Sequence, residues 1–429
     1  MQIKEIPKYI FKNEVSRNSI VYIVSSVLSA SIPFLLLPLM TSCLTPADYG
    51  ITAMFQVVLA FLIPMIGLNS EGATGTEYFR QIYKNLSRYI GNALLLVVVS
   101  FIVCLLIVSI FSSQFSSILD LPRIWVVLAA VQSLFQFIIV YVLALLQASK
   151  QPVKYGLLQI GLSVLNAGFS IWLVYGLMWG YQGRLVGNLG AVVIVAIIAF
   201  IYLVRKYHVD FRFDKVLTID ILKYGVPLIP HALGGWAMSL IDRVFLADMI
   251  GLDTVGLYSV AFQLASVFAF LTAAVNQAFA PWLYSQLAVN DSIGNKRRIV
   301  KFSYAVMSLF VVCAIVYLAL MPVIKSIFIN SRYHDINLMF AFLLIGFVLQ
   351  GFYFMFTNYI SFIKKTKYQA AVTVSVAIIK LPLTYVLIQY FGAVGAAYSF
   401  ALTYFLFFAV TAIVSNKLYP MPWLRFYKL

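Results

Sequence analysis

RKYHVDFRFDKVLTIDILK, residues 205–223, is the longest polar connection in a chain of 429 residues that is 63% hydrophobic and only 10% charged. On both sides of it lie apolar runs long enough to cross a membrane, since a helix needs about 20 residues to span a hydrocarbon layer of about 30 Å. Cutting at charged or Pro/Gly-rich breaks gives spans at 18–41, 51–70, 89–111, 123–147, 155–176 and 184–204 before the connection. After it come 222–247, 257–279, 300–320, 336–360, 369–390 and 394–415. A soluble domain of this size carries about a quarter of its residues as charges. The sequence therefore predicts an all-α polytopic membrane protein of about twelve transmembrane helices, six on each side of the central connection.

The excess of 30 Lys and Arg over 14 Asp and Glu does not point to nucleic acid, which requires a basic surface on a water-soluble body. Of the 30 basic residues, 24 fall in the N-terminal tail (Lys4, Lys8, Lys12 and Arg17), in every second loop and after residue 415. The opposite side holds Arg123, Arg184, Lys325 and Arg332. That asymmetry predicts both termini in the cytoplasm, and the strict alternation supports an even number of spans. The first apolar run is longer than a signal-peptide core and is followed by many like it, so a retained helix is expected. Cys43, Cys104 and Cys313 are widely spaced in or beside apolar runs and read as small hydrophobes, with no metal-binding spacing. No metal and no cofactor is expected, beyond a coupling Na+ or H+.

The central connection suggests two bundles, residues 1–208 and 209–429, related as a parallel repeat about an axis along the membrane normal. GYQGRLVGNLGAVV (180–193) and YFGAVGAAYSFALT (390–403) are matching Gly-rich helix starts, and Pro pairs recur in IPFLLLPLMTSCLTPADYG (32–50) and VPLIPHALGG (226–235). Two pseudo-symmetric six-helix bundles suit alternating access, in which one bundle rocks against the other. Pro33, Pro38, Pro64, Pro227, Pro230 and Pro382 read either as hinges or as packing residues, while Gly183, Gly187, Gly392 and Gly395 read as close helix contacts.

Three stretches carry a resemblance to a known family: RNSIVYIVSSVLSASIPFLLLPLMTSCLTPADYG (17–50) with IGLNSEGATGTEYFR (66–80); YGVPLIPHALGGWAMSLIDRVFLADMIGLDTVGLYSVAFQLA (224–265), with its Asp-Arg pair and following Gly-x-Tyr; and GAVGAAYS (392–399). Over essentially its whole length the chain resembles the O-antigen flippases, the polysaccharide-transport branch of the superfamily that also holds the multidrug and toxic-compound exporters. The resemblance implies an inner-membrane carrier that moves a short oligosaccharide on undecaprenyl diphosphate from the cytoplasmic to the periplasmic leaflet. It further implies alternating access through a cavity of net positive charge, an ion gradient as the driving force, and a polysaccharide polymerase and chain-length machinery as partners alongside membrane lipid. Relatives often carry Arg directly after the glycine motif of the second span, where this chain has Glu71 first and Arg80 as the nearest Arg.

A diphosphate in hydrocarbon needs cationic partners. Lys380 lies about a dozen residues from either end of its span and has three readings: a cavity-facing cation for the substrate, an internal salt bridge, or a side chain snorkelling to the surface. SLIDRVFLADMIG (239–251) sets Asp242 beside Arg243. Counted from Leu222 the pair sits about 30 Å in, toward the outer end of its span, and neighbours on a helix point about 100° apart. Arg243 then reads as a substrate or gate contact or as an interfacial or interhelical anchor, with Asp242 the counter-charge of a basic residue elsewhere. Arg184 and Arg80 are candidate substrate cations whose plainer readings are an interface anchor and a topology-setting charge. Asp242, Glu71 and His231 are the candidates for ion coupling or gating, His231 having a structural hydrogen bond as its plainer reading.

The rival within the superfamily is a multidrug exporter working by H+ or Na+ antiport, which would need carboxylates inside the spans for cationic drugs. An enzyme on the same lipid carrier would need a sizeable outer loop, and neither HExxH nor GxxxxGK[ST] occurs. The sequence predicts a transporter and no catalytic residues.

Overall fold

The computed structural model describes residues 14–83, 85–289 and 292–423. The tail charges Lys4, Lys8 and Lys12 lie outside them. The described chain is helical: α1 (Glu14–Leu35), α2 (Leu37–Cys43), α3 (Pro46–Gly67), α4 (Ser70–Arg80), α5 (Leu86–Ile110), α6 (Ser112–Leu119), α7 (Arg123–Ala148), α8 (Pro152–Ser170), α9 (Gly180–Tyr207), α10 (Lys215–Gly225), α11 (Ile229–Met249), α12 (Leu252–Val289), α13 (Ile293–Ala319), α14 (Met321–Phe328), α15 (Asn337–Phe362), α16 (Thr366–Phe391) and α17 (Ala393–Leu418). Among the described residues twelve segments are long and apolar enough to cross a membrane, from Val24–Cys43 to Ala393–Leu418. They correspond one for one to the twelve expected spans.

Local chemistry explains where helices start and stop. The Thr45 side chain and backbone exchange hydrogen bonds with Asp48, and Pro46 occupies the first helical position, so α3 starts on a complete capping box. Its end was expected near residue 70 but falls at Gly67, because Leu68 and Asn69 both adopt left-handed backbone, with φ of 50° and 49°. Two such residues in succession redirect the chain. They release α4 as a separate, shorter helix that packs on α5, α7 and α10.

The chain forms two compact units, Met1–Leu233 and Gly234–Leu429. In the first, α7 runs against α3, α4, α5, α8 and α9, around a core that includes Phe55, Ile90, Ala129, Phe137 and Tyr141. In the second, α15 packs most extensively on α17 and α12, burying Phe340, Leu343, Phe347 and Phe400. Outward faces stay apolar, as along Val98, Val99, Ile102, Val103 and Leu106 of α5. Such a surface belongs in lipid rather than in water.

The expected divide at residues 208 and 209 falls inside the central connection, and the first unit extends beyond it. Arg88 on α5 pairs with Asp210 at 3.1 Å, and the Asp214 amide donates to Asn92 Oδ1 at 2.7 Å. The Tyr89 hydroxyl donates to Asp220 at 2.9 Å, and the Asn69 amide donates to the Gly225 carbonyl. Gly225 itself presses on the Leu68 carbonyl so closely that a methyl group would overlap it. These contacts hold the connection and α10 to the first unit.

Candidate functional site

In the second unit, α11 carries the Asp-Arg pair and α16 carries Lys380. The Lys380 ammonium meets Asp242 Oδ2 at 2.8 Å, with both side chains fully shielded. Lys380 Nζ also donates to the Met238 carbonyl, one turn before Asp242, and lies 5.4 Å from the Phe400 ring centre. Two further donors reach the carboxylate. Tyr258 on α12 donates to Oδ2 at 3.0 Å, and Thr384, one turn beyond Lys380, donates to Oδ1 at 3.3 Å and joins Ser399 on α17 at 2.6 Å. Four helices thus converge on one ion pair.

Arg243 faces away from that pair, as the roughly 100° offset of helix neighbours requires. Its Nε donates to Ser259 at 3.1 Å and its Nη1 to the Ser239 carbonyl at 3.2 Å. The guanidinium lies 4.5 Å from the Phe262 ring centre and 5.5 Å from that of Tyr258. Neighbours on α11 are therefore met by neighbours on α12: Asp242 by Tyr258 and Arg243 by Ser259.

The expected difference in depth between Lys380 and the Asp-Arg pair does not hold. Lys380 is in the middle of α16, and its contact with Asp242 puts that carboxylate at the same level. A single 3-10 turn, Val226–Leu228, joins the end of α10 at Gly225 to α11, along which Asp242 lies about 20 Å from Ile229.

The first unit holds a second polar centre. Arg184 on α9 donates through Nη1 to Asn166 Oδ1 and Ser170 Oγ on α8. Asn166 in turn donates to Asn188 at 3.0 Å. Arg184 is turned inward onto this cluster rather than serving as an outward anchor, and none of the partners is a carboxylate. The helices come close enough because Gly187 faces the Phe169–Ser170 backbone, where an added Cβ would lie 3.1 Å from the nearest atom. Directly after Ser170 the backbone widens into a π-helix, Ile171–Gly176.

Glu71 and Arg80, at opposite ends of α4, both line a third place, an open cleft of ≈ 740 Å³ between α4 and α7 that is also lined by Thr76 and Gln147. Glu71 Oε2 is buried without a hydrogen-bond partner among the described residues. Burial holds its carboxyl above the usual carboxylate range, partly offset by a backbone hydrogen bond. Arg80 is exposed in the last turn of α4, and His231 is exposed in the first turn of α11. Among the described residues no group of His, Cys, Asp and Glu is arranged to hold a metal.

The structure thus brings Lys380 together with Asp242, while Glu71 and Arg80 stay at opposite ends of α4 and Arg184 stands in its own cluster. Sequence reasoning missed Tyr258, Ser259, Thr384 and Ser399, and also Asn166, Ser170 and Asn188. Two signals were available: Thr384 follows Lys380 by four residues on one helical face, as Ser170 follows Asn166, and Tyr258 is the tyrosine of the Gly-x-Tyr motif.

The lipid II flippase MurJ in its inward closed conformation superposes with a TM-score of 0.71 at 12% identity, covering 92% of this chain and 87% of that one. An inward-facing multidrug-resistance MATE transporter gives 0.67 at 15%, covering 92% and 94%. The fold is that of these membrane transporters, and its twelve apolar spans are those of a multi-pass membrane protein. A protein of the Lsg locus of Haemophilus influenzae is 25% identical over 422 residues, covering 94% of this chain and all of the relative. The polysaccharide biosynthesis protein family model matches residues 15–287, and the chain belongs to that family.

Proposed function

We propose that the protein carries an undecaprenyl-diphosphate-linked oligosaccharide from the cytoplasmic to the periplasmic leaflet by alternating access. The observation that carries this reading is Arg184, a guanidinium inside the first unit whose hydrogen-bond partners are all neutral. A guanidinium held only by neutral groups keeps its charge free for an anion, and its planar fork suits phosphate oxygens. The charge balance disfavours a carrier of cationic drugs, since Asp242, the buried carboxylate of the second unit, is already neutralised by Lys380. Membership of the polysaccharide biosynthesis family and the flippase title of one solved relative support the same substrate class.

The Lys380–Asp242 pair is the coupling element in this reading. A proton on Asp242, or a sodium ion taking the place of the Lys380 ammonium, breaks the pair and frees α16 from α11. Removing one partner of a buried pair costs about 3–5 kcal/mol because the other charge is stranded, so the double change Asp242→Asn/Lys380→Met tests coupling with less loss of stability than either single change.

The test is transport of defined lipid-linked oligosaccharides in reconstituted vesicles under imposed proton and sodium gradients. Arg184→Gln is expected to slow transport by roughly ten- to a hundredfold, the worth of a charge-assisted hydrogen bond, with Arg184→Lys in between. The double variant is expected to lose its response to the driving gradient. Export of cationic drugs with no movement of lipid-linked sugar would overturn the proposal.

A further inference from the structure

On the outer face of the first unit, α7, α8 and α9 enclose an apolar groove of ≈ 300 Å³. Val142, Leu146, Val195 and Ala199 form its buried floor, and Leu157 and Ile198 stand on its rims. The rims are open, Leu157 being 69% and Ile198 56% exposed, so the groove faces the surroundings of the unit and not its core. It runs along α8 from Lys154 to Leu165. Eleven helical steps make that about 16 Å, close to half of a hydrocarbon core of about 30 Å. The groove therefore has the length of one leaflet.

One end is cationic. Lys154 Nζ donates to the Tyr202 hydroxyl at 3.4 Å and lies 5.1 Å from the centre of that ring, while Lys206 Nζ lies 5.6 Å from the same centre. The Tyr202 hydroxyl donates to Gln151 Oε1 at 3.1 Å. Neither lysine is paired with a carboxylate among the described residues, and nearby Asp210 is engaged by Arg88 and Arg212. Lys206 Nζ also lies 5.4 Å from the Tyr207 ring centre, and both lysines are exposed, so an anion at this end of the groove can reach either ammonium group. This end holds the chain's basic loops, the cytoplasmic side under the positive-inside rule.

We propose that this groove is a binding site for an anionic phospholipid of the cytoplasmic leaflet, with one acyl chain along α8 and its phosphate between Lys154 and Lys206. Basic pockets between transmembrane helices at the cytoplasmic side are suited to such headgroups. The apolar floor supplies area for the chain, and the two lysines select against lipids whose headgroup carries its own cation. The site is independent of the transport reading.

The experiment uses the full chain, purified in detergent and stripped of lipid, with phosphatidylglycerol or phosphatidylcholine added back and retention followed by native mass spectrometry. Phosphatidylglycerol is expected to be retained in preference. Lys154→Gln/Lys206→Gln is expected to weaken it by roughly twenty-five-fold, about fivefold for each lysine. Gly161 lines the groove, and a Cβ added there meets nothing within 4 Å, so Gly161→Phe is expected to direct its ring into the groove and expel the acyl chain. Lys150→Gln, an exposed lysine of the same side outside the groove, serves as the control and leaves retention unchanged. Equal retention of the two lipids, no effect of the lysine pair, or displacement of phosphatidylglycerol by undecaprenyl phosphate would each overturn the proposal.

Discussion

Asp242 and Arg243 are adjacent in sequence and do not serve one another; each is satisfied by a different residue of α12, and Asp242 also by Lys380 of α16. Adjacent charges in a helix report two separate environments, which the 100° offset makes a matter of geometry. Glu71 shows the opposite case, a buried carboxyl whose Oε2 finds no hydrogen-bond partner among the described residues. Its carboxyl is held above the ordinary range by burial, outside the membrane-spanning segments. A raised folded-state value means that its contribution to stability is fully present below the unfolded value and is lost as pH rises through the folded one. Glu71→Gln is expected to flatten the dependence of unfolding temperature on pH from the ordinary carboxylate range upward. A profile identical to that of the parent would show that Glu71 is not the titrating group.

At the scale of elements, spans were legible and their breaks were not. Apolar length is a property of composition, so all twelve spans could be found in the sequence. The left-handed pair at Leu68 and Asn69 and the π-helix at 171–176 lack such a signature, since neither Leu68 nor the run IWLVYG is a typical breaker. Close contact is similarly local. Gly187 lets α9 approach α8 at the turn that carries Ser170, so Gly187→Leu is expected to destabilise the protein by about 1–3 kcal/mol through overpacking. Gly187→Ala, whose Cβ needs the neighbour to yield only slightly, is expected to cost less. Thermal unfolding in detergent measures both, and an order reversed between Ala and Leu would contradict the contact.

The whole molecule has a sidedness that follows from its loops. With Cys43, Cys104 and Cys313, all unpaired, replaced by Ser, single cysteines report it. Arg212→Cys is expected to be labelled from the cytoplasmic side and Arg332→Cys from the periplasmic side; labelling both from one side would break the positive-inside assignment.

The sequence by itself determined the class of fold, the number of spans, and which charges lie within them, because each follows from apolar length and the cost of ions in hydrocarbon. It also nominated Lys380, Asp242 and Arg184 individually. Only the tertiary structure decided that Lys380 and Asp242 form one buried pair, that Arg184 is held by neutral groups, and that the connection at 205–223 is fastened to the first unit. Those facts depend on which faces of separate helices meet, and the contacts between residues 138 positions apart, as in the Lys380–Asp242 pair, leave no local trace in the chain.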